Sequence, residues 1–358
     1  MTELLHSLVA RTRPVTVQEW DGFWDRLRHK ELHPGEALAT VSALSARMPQ
    51  AQTAVALVAA LDARREQPAS WPGTVNVVGT GGGPATFNLT TASVLVAAAT
   101  GVKVVKTGSR GYTSRFGSID LLERLGIPTA SSYAECEDLL DAHGIAFADG
   151  FVYPAELSRL ARAILPYGMK QVGRIFNVLG PFLAAVPVGA QLTGVSDAAL
   201  VPALAEVADS LSGREVWLLH NNHGVDELIG FARNTIRTGA GSPDLTIEPG
   251  TLDGVCLHPG TLAELGPSYD DAGSPVPQLL ALLGGDGPDA AVQSICLNAA
   301  AAAVASGTRT DWAEAFRVAQ DAVHSGAALE LVDRLRAFRR AQSHPAGNQG
   351  KPVMARVG

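Results

Sequence analysis

Cysteine is scarce: the 358 residues contain three, Cys136, Cys256 and Cys296, odd in number and far apart. That spacing excludes a disulfide framework and a cysteine-rich metal site, and it suits a reducing compartment. An excess of cations is also missing. The formal net charge is −7, which gives nucleic acid no electrostatic footprint as the main partner. No apolar run is long enough to cross a bilayer; the stretch 92–105 is interrupted by Thr100, Gly101 and Lys103. The opening residues Met1-Thr2-Glu3-Leu4-Leu5-His6 lack the pattern of a secretory leader, so the expected location is the cytoplasm. No Ser–His–Asp or Cys–His set is visible, and no residue stands out as a general base. His220 and His223 have no third ligand in sight, which argues against zinc.

What is present begins with an apolar content of 46%, enough for a sizeable core, on a length that suits one large domain and one smaller. The chain is organised around Gly79-Thr80-Gly81-Gly82-Gly83-Pro84-Ala85-Thr86-Phe87-Asn88-Leu89-Thr90-Thr91. The run Thr74–Val78 leads in and the small apolar residues 92–99 lead out, a pattern of strand, glycine loop and helix. Glycines let backbone turn and approach a ligand with no Cβ in the way. Free N–H groups and the positive dipole end of the following helix favour phosphate. The loop is not a Walker loop, because no Gly-Lys-Ser/Thr follows, and its glycine spacing does not fit the dinucleotide fingerprint. Taken alone it reads as a phosphate cradle or as a tight strand–helix turn.

Residues 1–66 read as all helix. Thr16-Val17-Gln18-Glu19 fits a capping box ahead of an apolar stripe, Trp20, Phe23, Trp24 and Leu27. Gln67–Gly73 reads as a linker. From Thr74 onward strands and helices alternate, the pattern of a mainly parallel sheet under helices. Val102–Lys106 and Val188–Val195 are expected strands, as is Glu215–His220. Ser118 is the expected cap of a helix that Gly126 stops. Residues 173–182 carry glycine and proline around an apolar run, an expected hinge or crossover. Residues 229–250 suggest a hairpin, and Gly266–Pro277 a loop. Three helices end the chain, at 290–306, 312–324 and 327–340, before a polar tail, 343–358, expected to be disordered.

A second loop, Lys106-Thr107-Gly108-Ser109-Arg110-Gly111-Tyr112-Thr113-Ser114-Arg115-Phe116-Gly117-Ser118, follows the second strand. Open α/β sheets bind ligands at that edge, and cations with hydroxyls complete a phosphate's coordination. Asp226-Glu227 lies just past a strand at the same edge. In a loop, each carboxylate can hold Mg²⁺ directly or through water. A phosphate cradle with an acidic pair implies a Mg-phosphate or Mg-pyrophosphate substrate. The site is richer in charge clamps than in proton-transfer groups, which favours leaving-group stabilisation and positioning as the source of rate.

These residues resemble the anthranilate phosphoribosyltransferases, the class that shares its fold with the pyrimidine nucleoside phosphorylases. The likeness is collinear over about residues 15–340. Gly79-Thr80-Gly81-Gly82 with Thr86–Thr91 is similar to the family's donor loop. Lys106, Gly108, Arg110, Ser114 and Gly117-Ser118-x-Asp120 resemble its second phosphate loop. Ile175–Pro181 is similar to its hinge, Asp226-Glu227 to its metal pair, and Leu297–Ala300 and Ser325-Gly326-x-Ala328 to its C-terminal signatures. The resemblance implies an α/β fold: a small all-helical domain, 1–70, completed by helices from about 155–180, beside a large donor-binding domain, 71–342, with a mainly parallel central sheet and a C-terminal helical cover. It also implies a homodimer through the helical domains, no membrane partner, and Mg²⁺ as cofactor. The reaction implied is displacement of pyrophosphate from phosphoribosyl pyrophosphate by a small aromatic acceptor. Gly79, Thr80, Gly81, Gly82, Thr86, Asn88, Thr90, Thr91, Lys106, Gly108, Ser109, Arg110, Ser114, Gly117 and Ser118 would hold the donor. Thr90, Asp226 and Glu227 would hold the metal.

The departures from the family pattern cluster. An Asp that usually closes the first loop is Gly83. Lys-His-Gly-Asn-Arg becomes Lys106–Arg110, without the His and Asn, and His-Pro-Ala becomes Tyr153-Pro154-Ala155. The arginine that usually clamps the anthranilate carboxylate falls on Tyr167, and tyrosine is a poor partner for a carboxylate. The donor side is kept and the acceptor side is rebuilt, with Thr107, Ser109, Tyr153, Tyr167 and Arg174 as the expected acceptor contacts. A neutral or heteroaromatic acceptor is the expectation. Plain anthranilate transfer for tryptophan synthesis, a pyrimidine nucleoside phosphorylase and a non-catalytic nucleic-acid-binding relative are the alternatives.

Overall fold

The computed structural model describes residues 2–108, 117–268 and 273–343. Four helices open it: α1 (Glu3–Ala10), α2 (Val17–Arg28), α3 (Pro34–Ala46) and α4 (Ala51–Asp62). The box at the start of α2 is formed reciprocally. Thr16 Oγ1 accepts from the Glu19 N–H at 3.3 Å, and Glu19 Oε2 accepts from the Thr16 N–H at 2.9 Å. A hydrogen bond from Arg13 holds the Glu19 carboxyl down to about 2. Behind that cap Trp20, Phe23, Trp24 and Leu27 are buried. Thr16→Ala should cost about 1 kcal/mol, read as a lower urea midpoint at unchanged slope.

The sheet supplies the frame of the site. Its strands are β1 (Trp71–Gly79), β2 (Lys103–Thr107), β3 (Ile145–Ala148), β4 (Val188–Gly194), β5 (Glu215–Asn221), β6 (Asn234–Arg237) and β7 (Leu245–Ile247). The order is β3-β2-β1-β4-β5-β6-β7. Strands β1 to β5 run parallel, while β6 and β7 add as an antiparallel edge. The chain goes one way from β1 to β2 and β3, then crosses to β4 on the other side. The crevice outside the carboxyl ends of β1 and β4 is therefore the switch point where such sheets take ligands. A two-residue pair, β8 (Thr251–Leu252) with β9 (Val255–Cys256), lies apart.

Connecting helices are α5 (Leu89–Ala99), α6 (Ser118–Leu125), α7 (Tyr133–His143), α8 (Ala155–Ala163), α9 (Met169–Val172), α10 (Arg174–Leu183) and α11 (Val201–Ser210). The last four are α12 (Val276–Leu283), α13 (Asp289–Ala305), α14 (Trp312–His324) and α15 (Ala327–Ser343). Alternation along the strands sorts two cores. Val75, Val77, Leu192 and Leu219 pack with the alanine-rich faces of α5 and α13. Val216 and Leu218 turn to the other face and join α10, α11 and the N-terminal helices. Small side chains let α13 lie close along α5.

Several sequence expectations change. The linker ends early, because Trp71 already opens β1 and its N–H donates to the Pro187 carbonyl at 2.6 Å. The segment expected as a hinge or crossover is helical from Arg174, with Gly173 as its cap: Pro181 falls in the last turn of α10, and its carbonyl takes side-chain donors from Gln191 and Arg214. The cap of α6 is Gly117, whose N–H donates to Asp120 Oδ2 at 2.9 Å, and Ser118 is the first helical residue. Helix α12 starts inside the expected loop, since Pro277 fits a first turn whose N–H groups are free anyway. Ser343 closes α15, and 344–358, expected as a disordered tail, lie outside the described residues. The expected hairpin is β6 with β7.

Candidate active site

The site begins where strands end in glycine. Gly79 and Gly194 are register partners at the carboxyl ends of β1 and β4. A Cβ on Gly79 would stand 2.1 Å from Asp226 Oδ2, and one on Gly194 would stand 1.6 Å from the Asp226 carbonyl oxygen. Asp226 thus lies directly on two strand ends that have no side chains. Its Oδ2 accepts the Gly81 N–H at 2.9 Å, and Ser196 Oγ donates to the Gly81 carbonyl at 2.6 Å. Gly81 and Gly82 turn with φ of +64° and +88°. Gly83 is packed against the other loop: a Cβ there would lie 2.2 Å from the Gly224 carbonyl. The acid that usually closes the family's loop has no room at this position.

Glu227 accepts from Thr90 Oγ1 at 2.9 Å and Thr86 Oγ1 at 3.4 Å, which ties the acidic pair to the start of α5. Two asparagines fix the backbone around it. Asn221 Nδ2 donates to the carbonyls of Val225 and Glu227, at 3.0 and 2.8 Å. Asn298 of α13 accepts the Leu228 N–H and donates to the Leu228 carbonyl. Asn88, with φ of +33°, stands at the head of α5. Glu227 is buried and Asp226 half-buried. Burial pushes Glu227 up to about 8, helped by the neighbouring Asp226 charge and opposed by the Thr90 hydroxyl. Burial also raises Asp226, against the Gly81 N–H. Lys106 is buried beside them, its Nζ 3.1 Å from the Val77 carbonyl, and burial lowers it to about 8 against the pull of Glu227 and Asp226.

These groups share one cavity of about 400 Å³. Gly79, Thr80, Gly81, Gly82, Thr86, Asn88, Thr90 and Thr91 line it from the first loop. Lys106, Gly108, Gly117 and Ser118 line it from the second, and Asp226 with Glu227 from the third. Ser109, Arg110 and Ser114 lie outside the described residues. Among the expected acceptor contacts, Thr107 and Tyr153 line the cavity. Tyr167 does not: it is 50% exposed and away from the cavity. Arg174 opens α10 toward solvent, its side chain 65% exposed and 3.9 Å from Asp197, and it too is absent from the lining. Leu157, Phe176 and Asn177 line the wall instead. The apolar run 175–182 contains the signal for the last two, where the sequence reads as a hinge.

The carboxylates and hydroxyls form an all-oxygen donor set, and among the described residues no cluster of three or more His, Cys, Asp and Glu exists. Mg²⁺ is commonly held by one or two carboxylates with substrate phosphates completing its shell, so Asp226 and Glu227 fit that ion when a diphosphate is present.

An open, mainly parallel sheet with glycine-rich loop segments and an acidic pair at its carboxyl edge fits an α/β glycosyl transferase, and residues 72–329 match the glycosyl transferase family, a/b domain. The chain belongs, within that class, to the anthranilate phosphoribosyltransferase family. It is 34% identical over 333 residues to the anthranilate phosphoribosyltransferase of Methylobacterium radiotolerans, spanning 92% of this chain and 93% of that one. It is 30% identical over 348 residues to that of Beijerinckia indica, spanning 93% and 95%. Among solved structures, the Thermus thermophilus anthranilate phosphoribosyltransferase superposes with a TM-score of 0.77 at 26% identity, covering 95% of this chain and all of that one. The Saccharomyces cerevisiae enzyme, solved in complex with PRPP and Mg, has a TM-score of 0.75 at 20% identity over 94% and 97% of the two chains, a likeness of fold.

Proposed function

We propose that the protein is a Mg-dependent phosphoribosyltransferase that moves phosphoribose from phosphoribosyl pyrophosphate to an aromatic amine or heteroaromatic acceptor, releasing pyrophosphate. The observation that carries this is the convergence of the first glycine-rich loop, the described ends of the second (Lys106–Gly108 and Gly117-Ser118) and Asp226-Glu227 on one cavity at the sheet's switch point. N–H groups of the first loop and of the α5 terminus bind the donor's phosphates. Lys106 supplies positive charge next to the acidic pair. Mg²⁺, when bound, neutralises the leaving diphosphate. The acceptor nitrogen bonds to C1 of the ribose as the C1–O bond to pyrophosphate breaks, and the proton the nitrogen sheds passes to the departing pyrophosphate or to solvent, with Tyr153, Leu157, Phe176 and Asn177 presenting the ring. Among the described residues Lys106 is the one cation in the cavity's lining, and neither Tyr167 nor Arg174 joins it there; that supports an acceptor other than anthranilate.

Titration calorimetry with phosphoribosyl pyrophosphate, with and without Mg²⁺, tests the donor half, and pyrophosphate release with a panel of aromatic amines tests the acceptor half. Absence of Mg-dependent donor binding overturns the reading. Tyr167→Ala should change acceptor KM by no more than about twofold, the effect of a surface substitution. The reading also includes a cytoplasmic homodimer. Its helical region carries exposed Val9, 63% accessible, on α1, and Leu165, 65% accessible. No helix of the described residues is long and apolar enough to cross a membrane.

A further inference from the structure

Three passages of chain connect the N-terminal helices and their partners α8 and α10 with the sheet: α4 to β1, β3 to α8, and α10 to β4. Two arginines tie these passages together. Arg65 lies between α4 and β1, and its Nε and Nη2 donate to Asp62 at the end of α4. Its Nη1 donates to the Val152 carbonyl, between β3 and α8, at 3.2 Å, and to the Leu183 carbonyl at the end of α10. Arg214, just before β5, donates from Nη1 to the Ala184 and Val186 carbonyls at 3.0 and 3.2 Å, and from Nη2 to that of Pro181 at 3.3 Å. Gln191 of β4, bonded across the register to Asn76 of β1 at 3.1 Å, donates to the same Pro181 carbonyl. Tyr133 donates its hydroxyl to the Ala185 carbonyl, and the Ala185 N–H donates to the Val152 carbonyl, each at 2.8 Å.

Four consecutive carbonyls, those of Leu183, Ala184, Ala185 and Val186, thus each receive a side-chain donor. These residues are buried, and carbonyls at a helix end have no partner inside the helix, so leaving them unpaired there would be costly. Cations also suit the C-terminal end of the α10 dipole. A guanidinium is a rigid planar fork, so the groups it joins are held at a set separation. Arg65 joins Val152, which is followed by Tyr153 and by Leu157 on α8, to Leu183, which ends the helix bearing Phe176 and Asn177. Those four residues line the cavity. Arg214 fastens the same helix end to the root of β5, the strand that leads to Asp226-Glu227.

We propose that Arg65 and Arg214 are positioning residues that set the gap between the acceptor wall on α8 and α10 and the donor loops on the sheet. This rests on the functional reading above and adds the residues that fix its geometry from outside, since neither arginine lines the cavity. Misplacing a reacting group by about 1 Å can cost about 10²-fold in rate. The gap is therefore a catalytic quantity, although neither guanidinium meets substrate.

The gap is read as a distance between two spin labels on the full-length protein, one on the exposed Cys256 and one on Arg162→Cys, an exposed position of α8. Cys136 and Cys296 are buried and stay unlabelled. Labelled chain is diluted into unlabelled chain, so that the distance is read within one chain. The parent should give a single narrow distance. Arg65→Ala and Arg214→Ala should each shift or broaden it by about 2 Å, the scale of a helix displacement. Mg-pyrophosphate affinity by calorimetry should stay within about twofold, since neither arginine touches the donor loops. Arg65→Lys keeps a charge beside Asp62 without the fork; it should move the distance the same way and serves where the alanine variants do not fold. A distance unchanged in every folded variant, with only the melting temperature lowered, overturns the proposal. Loss of Mg-pyrophosphate binding in step with the distance overturns it too, because the whole cleft has then loosened. If the parent does not bind Mg-pyrophosphate, the functional reading fails, and the distance alone still decides whether the arginines set the gap.

Discussion

Glu227→Ala should lower Mg-dependent kcat/KM by about 10³-fold or more, because it would remove a proposed Mg²⁺ ligand and untie the start of α5 in one step. Glu227→Gln separates the two effects: the amide can still accept from Thr90 but brings no charge to Mg²⁺. The buried cluster also makes the metal-free protein sensitive to pH. Glu227 moves from 4.5 when free to about 8 in the fold, so the folded state holds a proton that the unfolded chain gives up. The contribution to stability from this group is present below pH 4.5 and is lost as pH rises toward 8, at up to about 1.4 kcal/mol per pH unit. Asp226 acts in the same direction. Lys106 acts in a different window, since its fall from 10.5 to about 8 makes stability rise again above pH 8. Thermal melts in EDTA should therefore pass through a minimum near pH 8, and Glu227→Gln should flatten the falling limb. Mg²⁺ with pyrophosphate requires the ionised carboxylate, so binding at pH 7 should release protons, measurable in buffers of different ionisation enthalpy.

Much of this cluster is legible in the amino-acid sequence, because its marks are local. Glycine runs after apolar runs, a lysine at a strand end and an acidic dipeptide past another each announce themselves within a few residues. The acceptor wall is less legible. Phe176 and Asn177 sit in a segment whose Gly173, Gly180 and Pro181 suggest a break, yet the helix tolerates Pro181 because it comes at the last turn. Tyr167 and Arg174 are placed by counting from that segment, and counting fixes no direction: one is half exposed, the other paired toward Asp197. Asn76 and Gln191 carry no signal at all. A single amide inside an apolar strand reads as an interruption until the register of β1 on β4 sets it opposite another. Long-range pairing is the information that a one-dimensional reading lacks.

Gly194→Ala shows how strictly that pairing constrains the site. The added methyl would stand 1.6 Å from the Asp226 carbonyl oxygen and 2.6 Å from its carbonyl carbon. Both are main-chain atoms, so no side chain can swing aside; either β4 retreats from β5 or the 224–228 loop lifts. Overpacking of this kind commonly costs about 1–3 kcal/mol, and a clash with backbone belongs at or above the upper end. Lifting the loop also withdraws Asp226 Oδ2 from the Gly81 N–H and pulls Glu227 from Thr90. The variant should therefore lose Mg-dependent donor binding by calorimetry even under conditions where melting shows it folded. Gly22→Ala is the matched control. Gly22 lies within α2, and a methyl added there would have nothing within 4 Å, so replacing this helical glycine should stabilise by about 0.5–1 kcal/mol. The same chemical change then carries opposite signs in one chain, and the difference is set by what stands opposite the missing side chain.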